Sequence, residues 1–256
     1  MHSLRGALEI SGATDTGRVR EHNEDAVFYD AELGVVVLAD GMGGYNAGEV
    51  ASGLTIDVIS ETLRAELDAL RPQARANKGS SLPVALEMLR IAIDRANSVV
   101  FERAATDALC YGMGTTVVCG LFYDNQLVVG HVGDSRLYRY REQTLARITH
   151  DHSLLQEQLD AGLIDAESAR NASYRNLVTR AVGIAHDVQS EIQQCEVQVG
   201  DLYLFCSDGL TDMLPDDLIA EVLGLFADNL PLAVQTLIEQ ANANGGRDNI
   251  SVALVA

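Results

Sequence analysis

The sequence predicts an α+β protein: two antiparallel sheets packed face to face, with helices on the outside. Three observations lead there. Short Val/Ile/Tyr-rich runs bounded by turn residues recur at 7–13, 26–29, 35–39, 115–122, 127–132, 136–141, 202–206 and 250–255. Two long stretches, 47–70 and 83–104, carry helical periodicity one after the other. Their order also lacks the strand–helix–strand alternation of a parallel sheet.

Taken along the chain, the run at 115–122 meets the run at 127–132 through Tyr123-Asp124-Asn125-Gln126, where Asp and Asn tolerate the backbone of a tight hairpin. The first helix places Val50, Leu54, Val58, Ile59, Leu63 and Leu67 on one stripe. The second does so with Leu86, Leu89, Ile93, Ala96 and Val100, and starts at a Pro after two serines. Residues 215–225 and 231–243 read as two further helices, each with Pro in its first turn. Residues 71–82 are polar, with Gly and Ser, and read as a surface connection. Residues 153–180 break the strand pattern and are expected to form a mobile flap with two short helices. With no repeat and no low-complexity tract, residues 1–256 are expected to be one domain.

Composition excludes several functions. With 18 basic against 37 acidic side chains the formal charge is −19, which repels nucleic acid and anionic lipid. No apolar run spans a bilayer, and the N-terminus has neither the apolar core nor the cleavage site of a signal peptide, so a cytoplasmic protein is expected. The four cysteines, Cys110, Cys119, Cys195 and Cys206, have no disulfide or zinc spacing and are expected to be reduced.

The chemistry lies in carboxylates at strand ends. VVVLADGMGG runs an apolar strand straight into Asp40 and then into glycine. Neither phosphate-binding glycine motif fits, because the third glycine of a dinucleotide fingerprint falls on Asn46 and no Walker lysine follows. The same signature recurs at Asp134 in GHVGDSR, Asp208 in FCSDGL and Asp248 in GGRDNIS, while Glu24 and Asp25 open another strand. One Asp beside Gly is ordinary turn chemistry. Four recurrences are not. Carboxylates brought together repel, and they persist only when protonated or neutralised by cations. Oxygen donors without His or Cys suit Mg²⁺ or Mn²⁺.

The ordered set VREHNED, VLADGMGG, GTT, GHVGDSR, SDGL and GGRDNISV resembles the metal-dependent serine/threonine protein phosphatase family (type 2C, PPM) in its bacterial form, over residues 10–255. The resemblance implies a four-layer αββα sandwich with two metal ions, Mn²⁺ or Mg²⁺, at one edge. On that pattern Asp40 would bridge the metals, Gly41 would ligate one through its carbonyl, and Asp208 and Asp248 would hold the other. Glu24 would act through water, Asp25 would support the site, and Arg20 would clamp the substrate phosphate. Asp134, with Asp208, would form a weaker third metal site beside the flap. Phosphoserine or phosphothreonine in proteins would then be hydrolysed by a metal-bridging water, opposing a bacterial serine/threonine kinase. The enzyme would be a monomer with no nucleic-acid or membrane partner.

One departure is Met42, where many eukaryotic members carry the His proposed as general acid; a thioether cannot donate a proton. His22, His150 and His152 are left without assigned roles, and Arg136 and Arg180 read as structural ion-pair partners. Two rival readings stay open: a non-catalytic pseudophosphatase that binds or regulates phosphoproteins, and a phosphatase of small phosphorylated molecules. The segment at 153–180 is the candidate determinant of selectivity.

Overall fold

The computed structural model describes residues 6–44, 47–74, 82–165, 168, 174 and 177–256. Its strands are β1 (Ile10–Asp15), β2 (Asp25–Asp30), β3 (Val35–Met42), β4 (Gly114–Thr115), β5 (Val117–Tyr123), β6 (Gln126–Val132), β7 (Arg136–Arg141), β8 (Thr144–Arg147), β9 (Glu191–Glu196), β10 (Leu202–Cys206) and β11 (Ile250–Val255). The helices are α1 (Ala47–Ala74), α2 (Leu82–Thr106), α3 (Leu154–Asp160), α4 (Asp208–Thr211), α5 (Asp216–Leu225) and α6 (Leu230–Ala243). One sheet runs β1-β11-β10-β7-β8 and the other β2-β3-β5-β6-β9, with β4 paired to the end of β3. Every pairing is antiparallel.

The layers follow from which faces are apolar. Val36, Leu38, Val118, Leu127 and Val129 of one sheet meet Leu137, Tyr203, Phe205, Ala253 and Val255 of the other and form the inner core. Residues between them in sequence, such as Val35, Val37, Val117 and Cys119, turn outward and pack under α1 and α2. Leu204, Cys206, Val252 and Leu254 pack likewise against α5 and α6. Both faces of each sheet are thus covered, which is why these strands read as unbroken apolar runs rather than alternating ones. The result is the αββα sandwich. The cysteines are free, and burial pushes the Cys119 and Cys206 thiols up to about 12, so they pack as small apolar groups.

Several details differ from the sequence expectation. The first strand sits at Ile10–Asp15 rather than 7–13, because its register is set by pairing with the final strand, Ile10 opposite Val255 and Asp15 opposite Ile250. The run at 115–122 divides into β4 and β5. β8 and β9 were not anticipated, being short or polar. Asp124 and Asn125 do form the expected two-residue turn, with φ of 42° and 61°. Glu142 and Gln143 make a similar turn between β7 and β8, with φ of 49° and 62°, from residues that carry no turn signal.

On α1 the buried stripe includes the small residues Ala47, Ala51 and Thr55 with Ile59 and Leu63, while Val50 is left exposed. The stripe is rotated from the expected one because small side chains let the helix lie close against its sheet. Helix α1 continues to Ala74 into the expected connection, and residues 75–81 lie outside the described residues. In the segment expected to form a flap, α3 is capped by Ser153, whose Oγ accepts from the Gln156 amide at 3.3 Å. The second expected flap helix falls largely on residues outside those described. Among the described residues no helix is long and apolar enough to cross a membrane.

The inner core sets the cohesion of the two sheets, and Phe205 is wholly buried in it. Phe205→Ala is expected to lower the unfolding free energy by about 3–5 kcal/mol in urea titrations. Val199→Ala, at a fully exposed position, should change it by no more than about 0.5 kcal/mol.

Candidate functional site

Both sheets end their strands at the same edge, and that edge carries the acids. Asp25 opens β2 and stands opposite Asp40 near the end of β3. Asp208 begins α4 immediately after β10, and Asp248 comes just before β11. Asp134 follows β6 and Gly133, whose φ of 102° turns the chain sharply. The two sheets are joined across this edge by the Ser207 hydroxyl, which donates to Asp25 Oδ2 at 2.8 Å.

The backbone approach around Asp40 needs glycine. A Cβ on Gly41 would collide with the carbonyls of Gly48 and Glu24, and one on Gly48 would meet the Glu24 carboxylate at 2.7 Å. The Gly41 amide donates to the Glu24 carbonyl at 3.1 Å, fixing Glu24 beside the strand end. On the other side, Thr116 N–H and Thr115 Oγ1 both donate to the Asp40 carbonyl at 2.8 Å. Thr116 Oγ1 pairs with Ser135 Oγ at 2.7 Å and so links the Asp40 strand to the Asp134 turn.

Arg20 sits on a loop that precedes β2, where its Nη2 donates to Asp248 Oδ2 at 2.7 Å. Asn249 holds that loop. Its Nδ2 donates to the carbonyls of Thr16 and His22, both at 2.9 Å, and its Oδ1 accepts from the Glu24 amide at 2.8 Å. One buried side chain therefore sets the position of Arg20 and Glu24 relative to Asp248.

The acids act on one another. Asp40 and Asp208 keep a narrow opening to solvent, yet the protein packed around them disfavours the charged form. That desolvation, reinforced by Asp25, Asp208, Asp134 and Asp248, holds the Asp40 carboxyl well above the usual range. Burial, then Asp134, Asp212 and Asp248, do the same to Asp208. Burial raises Asp25 and Asp134 each to about 6, and also raises Glu24. Burial works against the Arg20 charge, but Asp248, Glu24 and Asp208 outweigh it and raise its pKa. All the acids singled out in the sequence thus come together, with Arg20 among them.

Such a set fits hard divalent cations. Its donors are oxygens, its members repel without neutralisation, and Asp25 Oδ1 is buried with no hydrogen-bond partner. Sequence reasoning missed Asp212, Asn249, Ser207 and the Thr116–Ser135 pair. Asp212 could have been found, since it lies one helical turn from Asp208 and so faces the same way. The others lie inside the quoted blocks SDGL, GTT, GHVGDSR and GGRDNISV, but as neutral groups acting through long-range hydrogen bonds they carry no local sign of their roles.

Arg136 is a structural partner, with its guanidinium donating to both Asp151 oxygens, at 3.0 and 2.7 Å. His150 lies beside Asp160 at 3.1 Å, and His152 packs at the base of the flap.

Among the described residues, three metal-type donors, His131, His152 and Glu191, have ligand atoms within 4.8 Å of one another. Their geometry opposes a metal. The imidazoles are stacked, with centroids 4.6 Å apart and planes 16° from parallel, so in-plane lone pairs do not converge. His152 Nδ1 accepts from the Gly133 amide at 3.2 Å, leaving its proton on Nε2, which faces Glu191 Oε2 at 3.6 Å and Arg180 Nη1 at 3.4 Å. Burial lowers both rings, His152 to about 4, so they pack as a neutral stacked pair.

Comparison with known proteins places this geometry among relatives. Residues 16–242 match the family described as Protein phosphatase 2C. The chain is 36% identical to the serine/threonine phosphatase Stp of Listeria monocytogenes, over 94% of this chain and 93% of that protein. It is 38% identical to the serine/threonine protein phosphatase PstP of Mycobacterium tuberculosis, over 96% of this chain but 44% of that longer protein. A crystal structure of the Mycobacterium tuberculosis PstP superposes with a TM-score of 0.85 at 35% identity, covering 97% of each chain. A structure of the PstP catalytic domain in complex with two manganese ions superposes with a TM-score of 0.82, again at 35% identity and 97% of each chain.

Loss of the Asn249 side chain should release the loop without disturbing the sheets. Asn249→Ala is expected to lower stability by about 1–3 kcal/mol. Amide hydrogen exchange across residues 16–24 should quicken while β3 keeps its protection, which exchange mass spectrometry would show.

Proposed function

This chain belongs to the protein phosphatase 2C family, and on that premise we propose that it is a metal-dependent phosphatase of phosphoserine and phosphothreonine in proteins. The observation that carries the reading is the convergence of Asp40, Asp134, Asp208, Asp248, Glu24 and Asp25, with Arg20, at one edge of the sandwich. Asp40, Asp208 and Asp248, with Glu24 and the Gly41 carbonyl, would hold two Mn²⁺ or Mg²⁺ ions, and Asp134 with Asp208 a third, weaker one. The chemistry two such ions supply when bound is a nucleophile from water at neutral pH and neutralisation of phosphoryl charge.

The chain's own residues do the rest. Arg20 meets two phosphate oxygens through its planar fork and stays charged at any working pH. Asp248 holds the guanidinium at the cleft until a phosphate arrives to share it. Asp25, hydrogen-bonded by Ser207, stands beside Asp40 on the neighbouring strand and ties it to the other sheet. Cations also resolve the charge conflict, since a protein at −19 accepts an anionic substrate only where positive charge is recruited locally. Met42 leaves the leaving group's proton to another donor. We read the protein as one domain over residues 1–256 with its flap at 153–180, a cytoplasmic monomer that opposes a serine/threonine kinase. Retention of the whole acid set speaks against a non-catalytic binding role.

The test is hydrolysis of an aryl phosphate and of phosphopeptides. Activity should require Mn²⁺ or Mg²⁺, vanish with chelator, and fall about a thousandfold or more in Asp40→Asn. Chelator-resistant turnover, or full activity in that variant, would overturn the mechanism. Aryl phosphate turnover without peptide turnover would favour small phosphorylated substrates.

The acids also set a pH dependence. Raised carboxyl pKa values mean that protons occupy the site near pH 5 and must leave when a cation binds. Calorimetric Mn²⁺ affinity should therefore rise between pH 5 and pH 7, about tenfold per pH unit for each proton released. A flat profile would show that the carboxyls are already ionised and unstrained.

A further inference from the structure

The register of β3 and β4 places an apolar side chain on the same face as the acids. Asp40 and Met42 are two apart on β3, so their side chains share a face. Met42 stands opposite Gly114 across the β3–β4 pair, and opposed residues project to the same side. The direction a Cβ would take from Gly114 is filled by Ile184, whose Cδ1 and Cγ1 lie 2.7 and 2.8 Å from that point. Ile184 therefore covers β4 on the Asp40 face, next to Met42. Two residues along a strand and one strand across amount to about 8 Å from Asp40.

This position is built. Thr115 and Val182 exchange backbone hydrogen bonds at 3.0 and 2.8 Å, which lays the segment beside β4. Asn97 is buried on α2, where its Oδ1 accepts from Gly183 N–H at 2.8 Å and its Nδ2 donates to the carbonyls of Ala185 and His186, both at 3.0 Å. Gly183 takes a φ of 87°, and a Cβ there would collide with Val100. The chain is fixed on both sides of position 184, yet the isoleucine between is 53% exposed. An apolar side chain pinned open by a buried amide, beside a strongly acidic cleft, is placed to meet something apolar.

Granting the phosphatase reading above, on which this rests, we propose that Ile184, backed by Met42, is a specificity-determining contact for phosphopeptide substrates. It receives an apolar side chain two or three residues from the phosphorylated serine or threonine. An extended peptide advances about 3.3 Å per residue, so with phosphate at Arg20 and Asp40 a residue at that separation reaches the wall.

The experiment uses the full chain with Mn²⁺ and phosphothreonine peptides carrying either leucine or glutamine at −3, −2, +2 or +3. At one of these positions leucine should raise kcat/KM about tenfold, chiefly through KM, as expected for partial burial of a leucine side chain. Ile184→Ser should bring the ratio close to one, and Ile184→Val should keep most of it. Leu225→Ser, at an exposed apolar position on α5, should leave the ratio as it was. Equal rates for all peptide pairs in the unmodified protein, or a tenfold preference surviving in Ile184→Ser, would overturn the assignment while leaving the phosphatase reading intact. Failure to hydrolyse both the peptides and an aryl phosphate would instead overturn that reading, and this inference with it.

Discussion

Repulsion among buried carboxylates is the constraint around which this molecule is organised. Asp40 faces Asp25 directly across a strand pair and feels Asp208, Asp134 and Asp248 from other elements. In a medium less polar than water, like charges at this density oppose folding unless protons or cations intervene. The edge therefore has to be held closed by everything else. The inner core clamps the two sheets, Ser207 ties one to the other through Asp25, and Thr115 and Thr116 anchor the Asp40 carbonyl. The fold supplies rigidity where the charges would push it apart.

That division explains why the acids stand at strand ends. A carboxylate inside a strand of this sandwich would lie in a layer covered on both faces, with no solvent and no route for an ion. At the strand ends the same backbone gives fixed direction, while the neighbouring glycines let chains approach and keep the opening clear. Gly41 and Gly48 are needed for this reason, since side chains there would strike the Glu24 segment. Rigidity and access are both met only at the edge.

Much of this was legible in the sequence. Apolar runs that end on Asp beside Gly mark strand ends because strand propensity and turn chemistry are local, and six short blocks in order carry the family resemblance that implied the site. What escaped was non-local. Asn249 follows Asp248 and looks like turn filling, yet it organises residues 16–24 through three hydrogen bonds across the chain. The β1 register was misjudged because it depends on the last strand. The Glu142-Gln143 turn adopts positive φ without a favourable residue, so pairing of β7 with β8 must impose it. The stripe on α1 was rotated because alanines, weak in a hydrophobicity pattern, are what close packing requires.

The chemistry and its selectivity draw on different physics and can change separately. On the proposed reading phosphate would be gripped by charge, through Arg20 and the cations that the acids would hold, and such a grip is indifferent to the peptide around it. Discrimination needs contact outside the charged zone, and an acidic surface offers little attraction to most sequences. An apolar wall is suited to that task because its contribution is not screened by salt and it adds no charge beside the acids. Ile184 meets both conditions, as it hangs on the Asn97-bound segment rather than on the strands that carry Asp40 or Asp208. The sequence points to the segment at 153–180 for selectivity, and position 184 lies just beyond it, held by α2 and β4. A substitution at a position so placed is expected to alter peptide preference while leaving the hydrogen bonds around Asp40 and Asp208 in place.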